Sequence, residues 1–217
     1  MNLKISVAHY LSLAIIIGAT VFTYLWLVPR PVVKNPTPVV SATEIKTATF
    51  AGGCFWCTEA DFEKLPGVLE AVSGYMGGTA DTATYKQTSA GGTGHREVVQ
   101  IQYDTNQLSY KDLVDYHWRH FDPTDNDGQF YDRGFVYSPA VFYETPDEQS
   151  AAQTSLAELN ALGVFAEVIQ VPIVPASTFY PAEAYHQDYY LKNPLRYQYY
   201  RQGSGRDAFL QNVWPKN

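Results

Sequence analysis

Both cysteines of this 217-residue chain sit in one short stretch, Ala51-Gly52-Gly53-Cys54-Phe55-Trp56-Cys57. An apolar, β-branched run from Ile45 to Phe50 leads in and predicts a strand. Thr58-Glu59-Ala60-Asp61-Phe62-Glu63-Lys64-Leu65 leads out and predicts a helix over Cys54–Leu65, stopped by Pro66-Gly67. Cys54 then lies on a strand–glycine–helix turn. The glycines allow close approach to the backbone, and a helix start offers free N–H groups and the positive end of the dipole. Such a place favours thiolate over thiol and stabilises negative charge on oxygen. Cys54 therefore reads as a nucleophile.

Three chemistries fit Cys54-Phe55-Trp56-Cys57. A zinc site needs about four ligands, whereas His95, His117, His120 and His186 are scattered without finger spacing. A thioredoxin-like dithiol has its signature in CxxC at a helix start, although two bulky aromatics between the thiols suit flat docking on a partner disulfide poorly. In the third reading Cys54 attacks a small electrophile with an apolar cap, and Phe55 and Trp56 wall the pocket for that cap. A non-catalytic scaffold domain, with the thiols only packed or bridged, is the inert alternative.

The elements that must position these residues alternate along the chain. Strands are predicted at Ile45–Phe50, Val68–Tyr75, Glu97–Tyr103, Ala140–Tyr143 and Ala166–Val171. Helices are predicted at Cys54–Leu65, Ser109–His120, Asp147–Leu162 (opened by Pro146 and ended by Gly163) and Ala182–Leu191. Asp81–Thr93, with Tyr85 in its middle, and Asp122–Gly134 read as loops, and Pro172–Asn217 as largely irregular. This order implies an α+β two-layer sandwich with a split βαβ (ferredoxin-like) core and a long irregular C-terminal segment.

Composition narrows the partners. A net charge of −7 and a pI of about 5.1 argue against nucleic acid. Two cysteines cannot frame a domain this large with disulfides. The 17 tyrosines allow a site lined with phenol groups. After a stub at residues 1–9, Tyr10 to Val28 carries no charge, and 19 residues span roughly 30 Å, the thickness of a bilayer core. The run exceeds a signal-peptide core and Val28-Pro29-Arg30-Pro31 is a poor cleavage site. An uncleaved single-pass anchor at 10–28 is expected, then a proline-rich linker at 29–43 and a monomeric domain at 44–217 on the extracytoplasmic side.

Several blocks together carry a resemblance. Gly53-Cys54-Phe55-Trp56 with Thr58-Glu59 is similar to the active-site motif of the A-type peptide methionine sulfoxide reductases. Thr84-Tyr85 and Gly94-His95-Arg96-Glu97 resemble that family's second block. Asp122-Pro123-Thr124-Asp125, Gly128-Gln129-Phe130 and Asp132-Arg133-Gly134 resemble its third. Ala182-Glu183-Ala184-Tyr185-His186-Gln187-Asp188-Tyr189 with Lys192-Asn193-Pro194 resembles its fourth. The resemblance implies that Cys54 attacks the sulfur of methionine-S-sulfoxide, in proteins or free. The substrate methyl would lie against Phe55 and Trp56. Glu97, with Tyr85 and Tyr137, would bind and protonate the oxygen, and Asp132 would support them. No cofactor or metal is implied. Around Tyr137 the chain departs from the family pattern, with Val136 before it and Ser138-Pro139 after it.

The chemistry asks for the same residue types. A sulfoxide sulfur is a poor electrophile until its oxygen is protonated, which calls for an acid still protonated near neutral pH. A glutamate buried among phenols meets that need, because burial disfavours its charged form. Reduction leaves Cys54 as a sulfenic acid. Lys192–Asn217 holds no cysteine, so Cys57 is expected to resolve it as a disulfide. Residues three apart at a helix start are near the required Cα separation, and a dithiol such as thioredoxin would reopen the bridge.

Overall fold

A computed structural model describes residues 44–214. Strands β1 (Ile45–Ala51), β2 (Val68–Met76), β3 (Arg96–Asp104) and β6 (Ala140–Tyr143) form the middle of a sheet in the order β6-β1-β3-β2. Helix α1 (Phe55–Phe62) joins β1 to β2, and helix α3 (Tyr110–His117) follows β3. Strand β3 lies antiparallel between β1 and β2, pairing Phe50 with Val99 and Tyr75 with Glu97. This is the split βαβ core expected from the order of elements. Two short strands extend it: β7 (Ile173–Pro175), parallel to β6, and β8 (Tyr180–Pro181), antiparallel to β2. A separate two-stranded ribbon pairs β4 (Gly128–Gln129) with β5 (Asp132–Arg133).

The two-residue period of β3 decides the core. Val99, Ile101 and Tyr103 project to the helix-covered face, whereas Gln100 and Gln102 are only half-buried on the other. Glu97 shares the parity of Val99 and Ile101, so the strand carries it under the helices. The main core gathers Phe50, Phe55, Phe62, Ile101, Leu113, Trp118 and Phe121. Helix α3 is held at its start by a reciprocal capping box between Ser109 and Asp112. Helix α4 (Pro146–Leu162) begins on Thr145, whose hydroxyl accepts the Glu148 N–H, and ends at left-handed Gly163.

Several sequence expectations are corrected. No strand forms over Ala166–Val171; pairing starts at Ile173, after the Val141 N–H is taken by the Pro172 carbonyl at 3.0 Å. The helix expected at Ala182–Leu191 reduces to α5 (Tyr189–Lys192). Asp188 is left-handed at φ +51° and donates its N–H to Glu59 Oε1 at 2.7 Å, which interrupts any helix before it. The C-terminal segment is not irregular: α6 (Pro194–Gly203) and α7 (Arg206–Val213) cover the site. Tyr85 opens a short helix, α2 (Tyr85–Ser89), capped by Thr84, instead of standing in a loop. Cys54 is the N-cap of α1 and not its first turn.

The stub, anchor and linker expected at 1–9, 10–28 and 29–43 lie outside the described residues. Among the described residues no helix is long and apolar enough to cross a membrane.

Leu113 is fully buried where α3 meets the sheet. Leu113→Ala is expected to lower the unfolding free energy of the domain by about 2–5 kcal/mol, read from the midpoint of urea denaturation.

Candidate active site

The nucleophile turn is shaped by contacts around two glycines. Gly53 sits at φ +91°, and a Cβ there would meet Gln129 Cβ at 2.6 Å and Arg206 Nη2 at 2.9 Å, so both backbone and space demand glycine. Gln129 is locked below, donating from Nε2 to the Asp122 carbonyl at 2.8 Å and accepting the Asp122 N–H at 2.8 Å. Arg206 donates to the Gly52 carbonyl at 2.9 Å and to the His120 carbonyl. Cys54 emerges from this clamp 6% exposed.

Glu97 lies beside it. Its Oε2 accepts the Phe55 N–H at 2.9 Å, so the first free amide of α1 is aimed at a carboxyl and not at sulfur. Glu97 is 2% exposed. Burial pushes its pKa up to about 8, against the lowering effect of the Phe55 N–H, and the neighbouring Asp132 adds to the rise. A neutral acid at physiological pH results.

The thiols behave differently from the sequence expectation. Burial pushes Cys54 well above the ordinary thiol range, helped by its contact with Cys57 and by the acidic neighbours Glu97 and Asp132. A thiolate is favoured instead at Cys57. The hydrogen bond from Cys54 brings Cys57 down to about 7 against its burial, with the charges of Arg206 and Arg201 assisting. Both sulfurs are reduced, one helical turn apart, with the Cys57 N–H on the Cys54 carbonyl at 3.1 Å.

The expected pocket residues divide into two sets. Phe55 is wholly buried, its ring against Tyr75 at 5.9 Å and His186 at 4.9 Å. Trp56 keeps an open edge. It stacks on Tyr189 at 3.7 Å and donates Nε1–H to His186 Nδ1 at 3.0 Å, which requires that ring to carry its proton on Nε2. Tyr85 is half-buried with its ring 4.5 Å from His186, and its N–H is held by Glu183 at 2.9 Å. Tyr137 ends a short helical turn, Phe135–Tyr137, and is half-buried. Burial first, then Glu97, raises the pKa of both phenols, which keeps them neutral donors. Asp132 on β5 accepts the hydroxyl of Tyr200 from α6 and is raised by burial.

Tyr200, Arg201 and Arg206 escaped the sequence reading, as did the use of His186 to hold Trp56. A signal existed in Tyr197, Tyr200 and Arg201, whose spacing of three and four places them on one helix face. Helix propensity in this tyrosine-rich segment is too weak to expose it. His117 and His120 turn to the Ala51 and Tyr116 carbonyls at 3.0 and 2.7 Å. His95 is buried in a loop contact with the Thr79 carbonyl at 3.0 Å.

Comparisons with known proteins agree with this arrangement. The profile of the family described as "Peptide methionine sulfoxide reductase" matches residues 46–217. The chain is 46% identical over 181 residues to peptide methionine sulfoxide reductase MsrA/MsrB of Vibrio cholerae, covering 83% of this chain and 48% of that protein, so it spans about half of that relative. It is 48% identical over 167 residues to peptide methionine sulfoxide reductase MsrA 2 of Staphylococcus aureus, covering 77% of this chain and 94% of that one. The crystal structure of Mxr1 from Saccharomyces cerevisiae in reduced form superposes with a TM-score of 0.66 at 30% identity, covering 70% of this chain and 87% of that one. With its profile match over most of its length and relatives nearly half identical, the chain belongs to the peptide methionine sulfoxide reductase family, among its MsrA members.

Proposed function

We propose that this chain reduces methionine-S-sulfoxide, in proteins or free, to methionine. The observation that carries the reading is Glu97, a buried neutral carboxyl bonded to the amide that follows the nucleophile. Glu97, with the Tyr85 and Tyr137 hydroxyls beside it, protonates the sulfoxide oxygen as Cys54 sulfur attacks the sulfoxide sulfur. The attack forms a bond between the two sulfurs, and the substrate S–O bond breaks as its oxygen leaves as water with the protons of Glu97 and the Cys54 thiol. Water then attacks Cys54 sulfur, the bond between the sulfurs breaks, methionine leaves, Cys54 is a sulfenic acid, and the proton given up by the water returns to Glu97. Trp56, braced by Tyr189 and His186, offers the apolar edge for the substrate methyl.

Glu97 donates while protonated, that is below about 8. The rate of the first methionine formed per enzyme is therefore expected to fall as pH rises through that value. A rapid-quench single-turnover series reads this. Glu97→Gln should slow the step by about 10²–10⁴-fold and abolish the falling limb; a profile that keeps the limb in the variant removes Glu97 as the acid.

Cys57 resolves the sulfenic acid, and an external dithiol of the thioredoxin kind returns the pair to thiols. The one-turn spacing of the two free thiols and the lowered pKa of Cys57 support this. Cys57→Ser should form one methionine per enzyme and then stop when thioredoxin is the reductant. Full cycling of that variant overturns the resolving role.

An uncleaved anchor at residues 10–28, with the catalytic domain outside the cytoplasm, rests on the uncharged run from Tyr10 to Val28. Full-length protein should stay with membranes through alkaline carbonate washing, and its domain should be cut by protease added to spheroplasts. Release by the wash rules out the anchor.

A further inference from the structure

Arg206 is 2% exposed, yet among the described residues it forms no ion pair with any carboxylate. Its guanidinium is satisfied only by the Gly52 and His120 carbonyls, and it lies 4.9 Å from the centre of the Phe130 ring. A buried guanidinium without a counter-ion is costly, by several kcal/mol in general. Its place is equally specific: Nη2 reaches within 2.9 Å of where a Gly53 side chain would begin, directly under the nucleophile turn. Arg201, by contrast, is neutralised by Asp61 at 2.9 Å and Asp207 at 2.7 Å.

The charged and titratable groups around Cys57 come from four elements. Cys54 and Asp61 flank it on and before α1, Glu97 faces it from β3, Tyr197, Tyr200 and Arg201 from α6, and Arg206 from α7. Asp61 is engaged by Arg201, and the phenols stay neutral. Arg206 is the cation left without an ion pair; its charge bears on Asp132 of β5 as well, and it lowers the pKa of Cys57 more than Arg201 does.

We propose that Arg206 is the standing counter-charge of the Cys54–Cys57 pair, a positioning residue whose anion is the thiolate that Cys57 carries during resolution. The inference deepens the reading of Cys57 as the resolving thiol and rests on it. Resolution then balances as follows. The Cys57 thiolate attacks Cys54 sulfur, the S–S bond forms and the S–O bond breaks. The departing hydroxide takes a proton from Glu97 and leaves as water. Cys57 sulfur is oxidised by one formal electron and the sulfenic sulfur reduced by one, so both end at the disulfide level and no outside reductant is consumed. Recycling gains a direction as well. Cys57 is wholly covered while Cys54 keeps some exposure, so an incoming dithiol attacks Cys54 and expels the Cys57 thiolate onto Arg206, the lower-pKa sulfur being the better leaving group.

The test uses the Cys54→Ser background, where Cys57 is the sole thiol and no catalysis intervenes. Iodoacetamide alkylation is followed against pH in the folded full-length chain, with folding checked by thermal unfolding. Arg206→Gln should move the alkylation midpoint up by about one pH unit or more. Arg206→Lys, which keeps charge and loses the fork, should stay within about half a unit of the parent. In the two-cysteine enzyme Arg206→Gln should slow disulfide formation from the sulfenic acid at least about tenfold, read by mass shift after a single turnover. An unmoved midpoint in folded Arg206→Gln overturns the proposal, as does a midpoint raised equally by Lys and Gln. Should Gln fail to fold, Arg206→Met, which also removes the charge, takes its place under the same criterion. Full thioredoxin cycling by Cys57→Ser would instead sink the resolving role while leaving the alkylation result standing.

Discussion

The site depends on one hydrogen bond, from the Phe55 amide to the Glu97 carboxyl. It ties strand β3 to the start of α1 and so fixes the acid against the nucleophile. A helix N-terminus alone would favour a carboxylate. Burial opposes this and prevails, so Glu97 keeps its proton near neutral pH. The same burial holds Cys54 as a thiol. A resting site with protons on both groups is suited to an uncharged, weakly electrophilic substrate, because the proton that activates the oxygen is already in place when substrate arrives.

Around that bond, the C-terminal helices build a second wall. Tyr189 stacks on Trp56, Tyr197 packs on Cys57, and Tyr200 reaches across to Asp132 on the β4–β5 ribbon. Arg201 bridges Asp61 of α1 to Asp207 of α7. These contacts seal Cys57 from water while Cys54 stays slightly open. Removing water also makes each nearby charge count for more, which is why two arginines from sequence-distant helices bear on a thiol near the start of the domain. Glu59 repeats the theme one helical turn further on. Buried and bonded to Ser73 and to the Asp188 N–H, it is raised to about 7 by desolvation, and it docks the C-terminal segment onto α1.

The strand parity of β3 links fold to chemistry. Val99, Ile101 and Tyr103 are buried because they face the helices, and Glu97 is carried to the same face by the same period. A carboxylate there is unfavourable for the fold, and the protein holds it neutral rather than pairing it with a cation. Among the described residues Arg206 is the buried cation near the turn; it is bonded to the Gly52 carbonyl and its charge bears on Cys57.

Much of this was legible in the residues themselves. The strand–glycine–cysteine–helix order, the alternating pattern of β3 and the turn formers are local, so they determine the split βαβ core and place Cys54 at a helix start whatever the remainder does. Family-like blocks at Tyr85, Glu97, Asp132 and His186 are likewise readable as text. A neutral Glu97 is expected from the burial that its chemistry calls for, but the protonation of the thiols could not be read this way. Whether the helix dipole or burial governs Cys54 depends on how much chain covers it, and that cover comes from α6 and α7, roughly 140 residues away along the chain. The helicity of Pro194–Gly203 and Arg206–Val213 is equally a tertiary result, because weak helix formers became helices by docking, the first against α1 and the second against α6, the glycine turn and Phe130. Local sequence determined which groups could react; only the folded packing decided which of the two thiols holds its proton.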